Sequence, residues 1–536
     1  MSVNRRDFLT AASALGALTL SQTASAHEHT PTPPSGTIAL EELTIEAAAN
    51  AMSAGTLTAR GLTQQYLARI EALDRHGPAL RSVLELNPDA LAIATALDAE
   101  RAHTGSRGPL HGIPVLIKDN VETADHTMTT AGSLALEGWY APTDAPCIAA
   151  LRAAGAVILG KANLSEWANF RSTHSSSGWS GRGGQTRNPY ALDRTPSGSS
   201  SGSAVAVSAN LCTVAVGSET DGSIVSPASV NGVVGIKPTL GLVSRRGIVP
   251  LSHSQDTAGP IARTVYDAAA LLSAIQSVDP QDPASADVPA SIEKDYTRFV
   301  HPDGLRGARL GIARQFFEDN TLLNRYLDTC VAQLKAAGAI IVDPANLTLP
   351  STVSEAEFAV LLYDYKADLN AYLAKLPSHV PVHSMTELIA FNTKNANREM
   401  SVFDQEILHM AEAKGPLTDK AYLDARATCL SATRTQGIDA LLKEHQLDAI
   451  VSLTSGPAWL IDHINGDSGS GGSAMPAAVA GYPHITVPAG LVRGLPVGLS
   501  FFASAYSEPT LIRLASGWEA HTKARVPPTF APSMPL

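Results

Sequence analysis

Apolar residues recur along this chain in two rhythms. Over residues 40–98 they follow helical spacing: Leu57, Leu62, Tyr66, Leu67 and Ile70 fall near one face, and Thr58 stands where a capping hydroxyl belongs. After Arg107 the texture changes to short apolar runs separated by Gly-rich or Ser-rich loops and helical stretches. The runs 113–117, 156–159 and 214–216 predict buried strands, and 149–154 predicts a helix between them. Such alternation predicts an α/β fold with a sheet covered by helices on both faces. Residues 277–304, rich in Pro, Asp, Ala and Ser, read as a surface linker. The pattern then resumes: strand at 310–313, helix at 322–337, mostly helix over 355–445, and buried strands at 449–451 and 485–487. The Gly/Ser/Asp stretch 462–473 reads as a flexible loop. No internal repeat is present, and the pattern leaves open whether the linker parts two domains or two halves of one.

Composition narrows the class. With 536 residues, 44% hydrophobic and 17% charged, the chain is globular and long enough for a very large core. Its formal charge of -11 argues against nucleic acid as a main partner, because phosphate binding needs a basic face. Cys147, Cys212, Cys330 and Cys429 form no C-x-x-C pair or metal-ligand spacing and read as buried free thiols, with one disulfide possible in an oxidising compartment. At the N-terminus, Arg5-Arg6 precedes Phe8-Leu9, a modest apolar run over 11–20 and the small residues Ala24-Ser25-Ala26. This predicts a twin-arginine signal peptide at 1–26, with the export machinery as a transient partner and a periplasmic or secreted product. The run is too short to span a bilayer, and no later segment approaches that length. Residues 27–36, with three prolines, predict a disordered lead-in to a body at 37–536.

Three loops carry candidate chemistry. Lys118 follows the apolar run 113–117, where burying an ammonium is expensive. It could snorkel to solvent or pair with Asp119; desolvated beside hydroxyls, it could lose its proton and act as a base. The second loop is 195–203, Thr-Pro-Ser-Gly-Ser-Ser-Ser-Gly-Ser, and the third is 217–224, Gly-Ser-Glu-Thr-Asp-Gly-Ser-Ile. Gly/Ser runs are usually linkers, but these two flank the strongly apolar stretch 204–216 and are therefore pinned to a core. Glycines beside a serine let main-chain N–H groups converge on one point, as an oxyanion hole requires.

Other patterns dissolve on inspection. Residues 198–202 match G-x-S-x-G, but no buried strand precedes them, as a nucleophile elbow demands. Residues 155–162 nearly match a phosphate loop, yet their middle is an apolar strand and Ala162 replaces the metal-binding hydroxyl. His253 near Asp256 suggests a triad only superficially, and reads as an ordinary loop histidine. His27 and His29 match no metalloprotease motif.

Together the three loops resemble the amidase signature family. The strand-end lysine, the Gly/Ser run and the Gly-Ser-Ile segment cover residues 110–263, with matching flanks at 144–166 and 232–239. A C-terminal echo runs through Pro476-Ala477, 485–491 and 494–499. The resemblance implies one large α/β domain with a mixed central sheet between helical layers, uniting both sides of the linker. It implies Lys118 as the base, Ser199 as the bridging serine after a cis peptide bond, and Ser223 as the nucleophile. It also implies an oxyanion hole from the main-chain N–H groups of Thr220, Asp221, Gly222 and Ser223, with no metal or cofactor. Ser197 stands where many members have glycine, and Val225 where many carry arginine. The segments 219–225, 171–173 and 175–179 resemble the peptide amidase branch, whose substrates are peptide C-terminal amides. The alternatives are an aryl or fatty amide hydrolase with the same machinery, the glutaminase-type component of a tRNA amidotransferase, and an inactive binding protein on the same fold. Retention of all three catalytic residue types argues against the last, and an export signal against the amidotransferase.

Overall fold

The short apolar runs of the sequence pair into one eleven-stranded sheet in the computed structural model, which describes residues 37–469 and 471–534. In chain order the strands are β1 (Val83–Leu86), β2 (Pro114–Lys118), β3 (Val157–Ala162), β4 (Val214–Glu219), β5 (Val234–Lys237) and β6 (Thr257–Ala262). They continue with β7 (Arg309–Ile312), β8 (Ile340–Val342), β9 (Ala449–Leu453), β10 (His484–Val492) and β11 (Leu495–Phe502). Across the sheet the order is β1-β3-β2-β4-β6-β5-β10-β11-β9-β7-β8. β3, β2 and β4 run parallel, as do β9, β7 and β8; the remaining pairs are antiparallel, so the sheet is mixed.

Burial explains which residues form the centre. Every residue of β2, β3 and β4 is buried, as expected of parallel strands covered on both faces. The helix Ser201–Ser208 is buried at all eight positions. A Cβ on its Gly202 would lie 2.3 Å from the Ser82 carbonyl oxygen, so only glycine fits there. The linker does not separate domains. Its Asp279 and Asp282 bind Arg246 and Arg245, and β7 to β11 join the same sheet as β1 to β6.

Several sequence expectations shift in detail. The helical reading of 40–98 holds for Ile45–Ser53, Ala59–Ile70 and the start of Ala90–Thr104, and Thr58 Oγ1 caps the second by accepting from Gly61 N at 2.9 Å. Between them lies β1, an edge strand of four residues too short to set up a period. β5, β6, β8 and β11 were not legible either, for their glycines, prolines and shortness hide any alternation. The loop at 462–473 is pinned rather than free in its described part: Asp467 accepts from Ser177 N and from Trp459 Nε1 at 2.9 Å, and Asp467 N donates to Ser175 O. All four cysteines are buried and unpaired. The signal-peptide and lead-in expectations fall on residues 1–36, outside the described residues. Among the described residues no helix is long and apolar enough to cross a membrane.

Candidate active site

Strand register brings the three loops together. Ile117 of β2 lies opposite Val216 of β4, so Lys118 arrives beside the Gly217-Ser218 end of β4. Its Nζ donates to Ser218 O and Ser218 Oγ, each at 3.0 Å, and to Ser199 Oγ at 2.8 Å. Asn120 Nδ2 donates to the same Ser218 hydroxyl at 2.9 Å. Lys118 is fully buried. Burial lowers its ammonium from the ordinary 10.5 to about 7, with the charges of Asp256 and Glu219 opposing. It neither snorkels nor pairs with Asp119, whose Oδ2 instead accepts from Thr130 and Gly132.

Ser199 follows a cis peptide bond from Gly198, in a loop tied down on both sides. Ser199 O accepts from Ser165 N at 3.1 Å, and Ser200 N donates to Ser223 O at 3.0 Å. The second contact places the residue after Ser199 against Ser223. Ser200 Oγ also donates to Ser218 O, which locks the run 195–203 onto β4.

Ser223 sits on a tight loop between β4 and the short helix Val225–Val230. Gly222 takes φ +74 there, a left-handed conformation that favours glycine. The loop wraps around Glu219, whose Oε2 accepts from Ile224 N at 2.7 Å and Val225 N at 3.0 Å. Among the described residues the main-chain N–H groups of Thr220, Asp221 and Ser223 have no hydrogen-bond partner. Such a cluster of unengaged donors beside a serine is what an anionic tetrahedral oxygen requires. Because Glu219 faces Thr257 across β4 and β6, Thr220 meets Asp256, and Thr220 Oγ1 donates to Asp256 Oδ1 at 2.6 Å.

Ser218, Asn120 and Glu219 have no role in the sequence reading, and Asp256 enters it only beside His253. Ser218 and Glu219 lie inside the recognised loop, but only register shows which way they face. Asp256 belongs to this neighbourhood without His253. The histidine binds Asp368 at 2.9 Å, which raises its pKa, and has Tyr422 on its other nitrogen. The 155–162 segment is indeed strand β3, and its Lys161 donates to Val121 O and Thr129 Oγ1. Among the described residues no strand immediately precedes Gly198.

The segments 171–179 act as anchors. Arg171 is fully buried, binds Glu166, lies 3.6 Å from Glu399, and stacks 4.2 Å over Phe403. Ser172 Oγ and Thr173 N donate to Glu406 at 2.8 and 2.6 Å. A separate cavity of about 570 Å³, lined by residues that include Trp139, Tyr372, Arg245 and Asp256, contains none of Lys118, Ser199 and Ser223.

Comparison with known proteins places the chain in a family. Residues 61–512 match the family model described as Amidase. A probable amidase of Arabidopsis thaliana is 43% identical over 507 residues, covering 92% of this chain and 93% of the relative. One component of the glutamyl-tRNA(Gln) amidotransferase of Chloroflexus aurantiacus is 36% identical over 505 residues, with 90% and 97% covered. The crystal structure of the native peptide amidase from Stenotrophomonas maltophilia is 51% identical, with a TM-score of 0.87 over 91% of this chain and 99% of that one. The peptide amidase PAM bound to the competitive inhibitor chymostatin is 52% identical, with a TM-score of 0.88 over the same shares. The chain belongs to the amidase signature family and is a serine amidase, a hydrolase of carboxamide C–N bonds.

Proposed function

We propose that this amidase removes the C-terminal amide of peptides, releasing ammonia, through a relay of Lys118, Ser199 and Ser223. The observation that carries the relay is the 2.8 Å contact between the buried Lys118 Nζ and Ser199 Oγ. A serine hydroxyl is a weak nucleophile until a base takes its proton. Neutral Lys118 accepts the proton of Ser199 as Ser199 accepts that of Ser223. Ser223 Oγ attacks the amide carbonyl, and the oxyanion rests on the N–H groups of the 220–223 loop. Ser199 then protonates the leaving nitrogen, the C–N bond breaks, and water enters by the reverse relay to release the acid. A lysine held near neutrality makes both directions accessible.

The peptide amide reading is supported by identity above one half to peptide amidases over nearly the whole chain. Position 225 supports it too. An arginine there would favour substrates that carry a carboxylate, and Val225 supplies no cation. Val225 is fully buried, so it acts by the absence of charge and not as an open apolar wall. The test incubates the mature enzyme with peptide amides and with small aryl and fatty amides, measuring ammonia or amine release and mapping products by mass spectrometry. Peptide amides are deamidated with internal bonds intact. Internal cleavage, or a preference above about tenfold for fatty amides (roughly 1.4 kcal/mol of transition-state binding), refutes the peptide reading and leaves the amidase standing. We propose further that the protein is exported by the twin-arginine route, on the strength of Arg5-Arg6 and the run that follows.

A further inference from the structure

The nucleophile loop has one side chain open to solvent. Within residues 195–245, Asp221 alone is exposed, and its neighbours Thr220, Gly222 and Ser223 are buried. The solvent-facing point of the nucleophile loop is therefore a carboxylate. Desolvation by the protein around Asp221 first, then the charges of Glu357 and Glu219, push its carboxyl well above the usual range, with Lys237 opposing.

Glu357, on the helix Val353–Leu373, stands over the same loop. Gln255 joins them, donating from Nε2 to Glu357 Oε1 at 3.0 Å and to Thr220 O at 3.2 Å. Glu357 is only 7% exposed, and its Oε2 accepts no hydrogen bond among the described residues. No lysine, arginine or histidine forms an ion pair with Asp221 or Glu357 among the described residues. The buried cation in the vicinity, Lys237, donates to Pro238 O and divides its electrostatic influence among Glu219, Glu508 and Asp221 without an ion pair to any of them. Glu357 thus raises the cost of ionising Asp221 beside Ser223, and the partial relief from Lys237 and Gln255 includes no ion pair to either carboxyl among the described residues. A cation placed there relieves both.

From this we propose that Asp221 and Glu357 are specificity-determining residues that select substrates carrying a positive charge near the scissile amide. That charge is a lysine or arginine side chain, or the α-ammonium of an amino-acid amide. The inference deepens the peptide amide reading and rests on it for the identity of the substrate. It adds a charge rule that no carboxamide chemistry by itself imposes. The same two groups disfavour acidic residues near the reacting end, and they disfavour the carboxylate product, which bears its new charge beside the same loop.

The experiment measures kcat/KM for N-acetylated dipeptide amides ending in lysine, norleucine or glutamate, at pH 8 and low salt. The wild-type enzyme is expected to prefer lysine over norleucine by about tenfold or more, and norleucine over glutamate. Asp221→Asn and Glu357→Gln should each reduce the lysine-to-norleucine ratio to within about threefold. The ratio is internal to each variant, so a general loss of activity cancels. In the wild type, 0.5 M salt should also shrink the ratio, which keeps the proposal testable if a variant misfolds. A wild-type ratio within twofold, a preference for glutamate, or an unchanged ratio in both variants overturns it. If no peptide amide is turned over but aryl amides are, the peptide reading fails by itself. The series is then run as lysyl, norleucyl and glutamyl anilides. A retained lysine preference there supports the charge rule, and its absence overturns it.

Discussion

The pH dependence of turnover tests the lysine most directly. Lys118 touches no solvent, and burial lowers its ammonium from 10.5 to about 7. Below that pH it is charged and cannot accept a proton from Ser199; above it, it can. For a midpoint near 7, the neutral fraction is about one-tenth at pH 6 and about nine-tenths at pH 8. The kcat/KM of an uncharged peptide amide should therefore rise about tenfold across that interval. Asp256 is the larger of the two charges that hold the lysine up. Its own carboxyl, pushed up to about 6 by burial, is ionised over most of the range. In Asp256→Asn that support is gone, so the rise should move to lower pH. Asparagine still offers one oxygen to Thr220 Oγ1 or to the N–H groups of Leu251 and Ser252. A variant that is merely damaged would lose amplitude with its midpoint unmoved. The assay is ammonia release from a norleucine amide between pH 5 and 9 at constant ionic strength. A flat wild-type profile, or a limb that moves to higher pH in Asp256→Asn, refutes the assignment of Lys118 as base.

Other perturbations have equally definite outcomes. Ser223→Ala should abolish both turnover and labelling by a serine-directed fluorophosphonate, while Ser199→Ala should cost at least ~100-fold in kcat, the usual worth of positioned acid–base catalysis. Arg171→Met leaves Glu166 and Glu399 buried without their cation and should cost about 3–5 kcal/mol in denaturant unfolding at pH 8. That loss should shrink toward pH 5, since burial raises Glu166 well above the usual range and a protonated carboxyl needs no counter-charge. Gly202→Ala drives a methyl into the Ser82 and Asn163 main chain and should lower thermal stability by about 1–3 kcal/mol or more. Replacing Arg5 and Arg6 by lysine should leave the enzyme in the cytoplasm on cell fractionation, with its specific activity intact.

What the sequence determined by itself was local and chemical. Strongly apolar runs such as 113–117 and 214–216 read as buried strands, because a short run of consecutive apolar side chains between loops is hidden on both faces of a sheet. The loops that end them carry residue types that must be pinned, and their order resembles the amidase signature, which implies Lys118, Ser199 and Ser223 as a candidate set. Tertiary structure decided what no single segment contains. The one-residue register between β2 and β4 sets Lys118 against Ser218 and Ser199, and that enclosure turns an ordinary ammonium into a group titrating near neutrality. Glu219, Asp256 and Glu357 come from β4, the turn before β6 and a helix more than a hundred residues later. Their shared influence on the 220–223 loop arises from pairing across the sheet and from packing over it. Electrostatic interactions depend on distance and burial, and both are properties of the folded chain that spacing along the sequence does not encode.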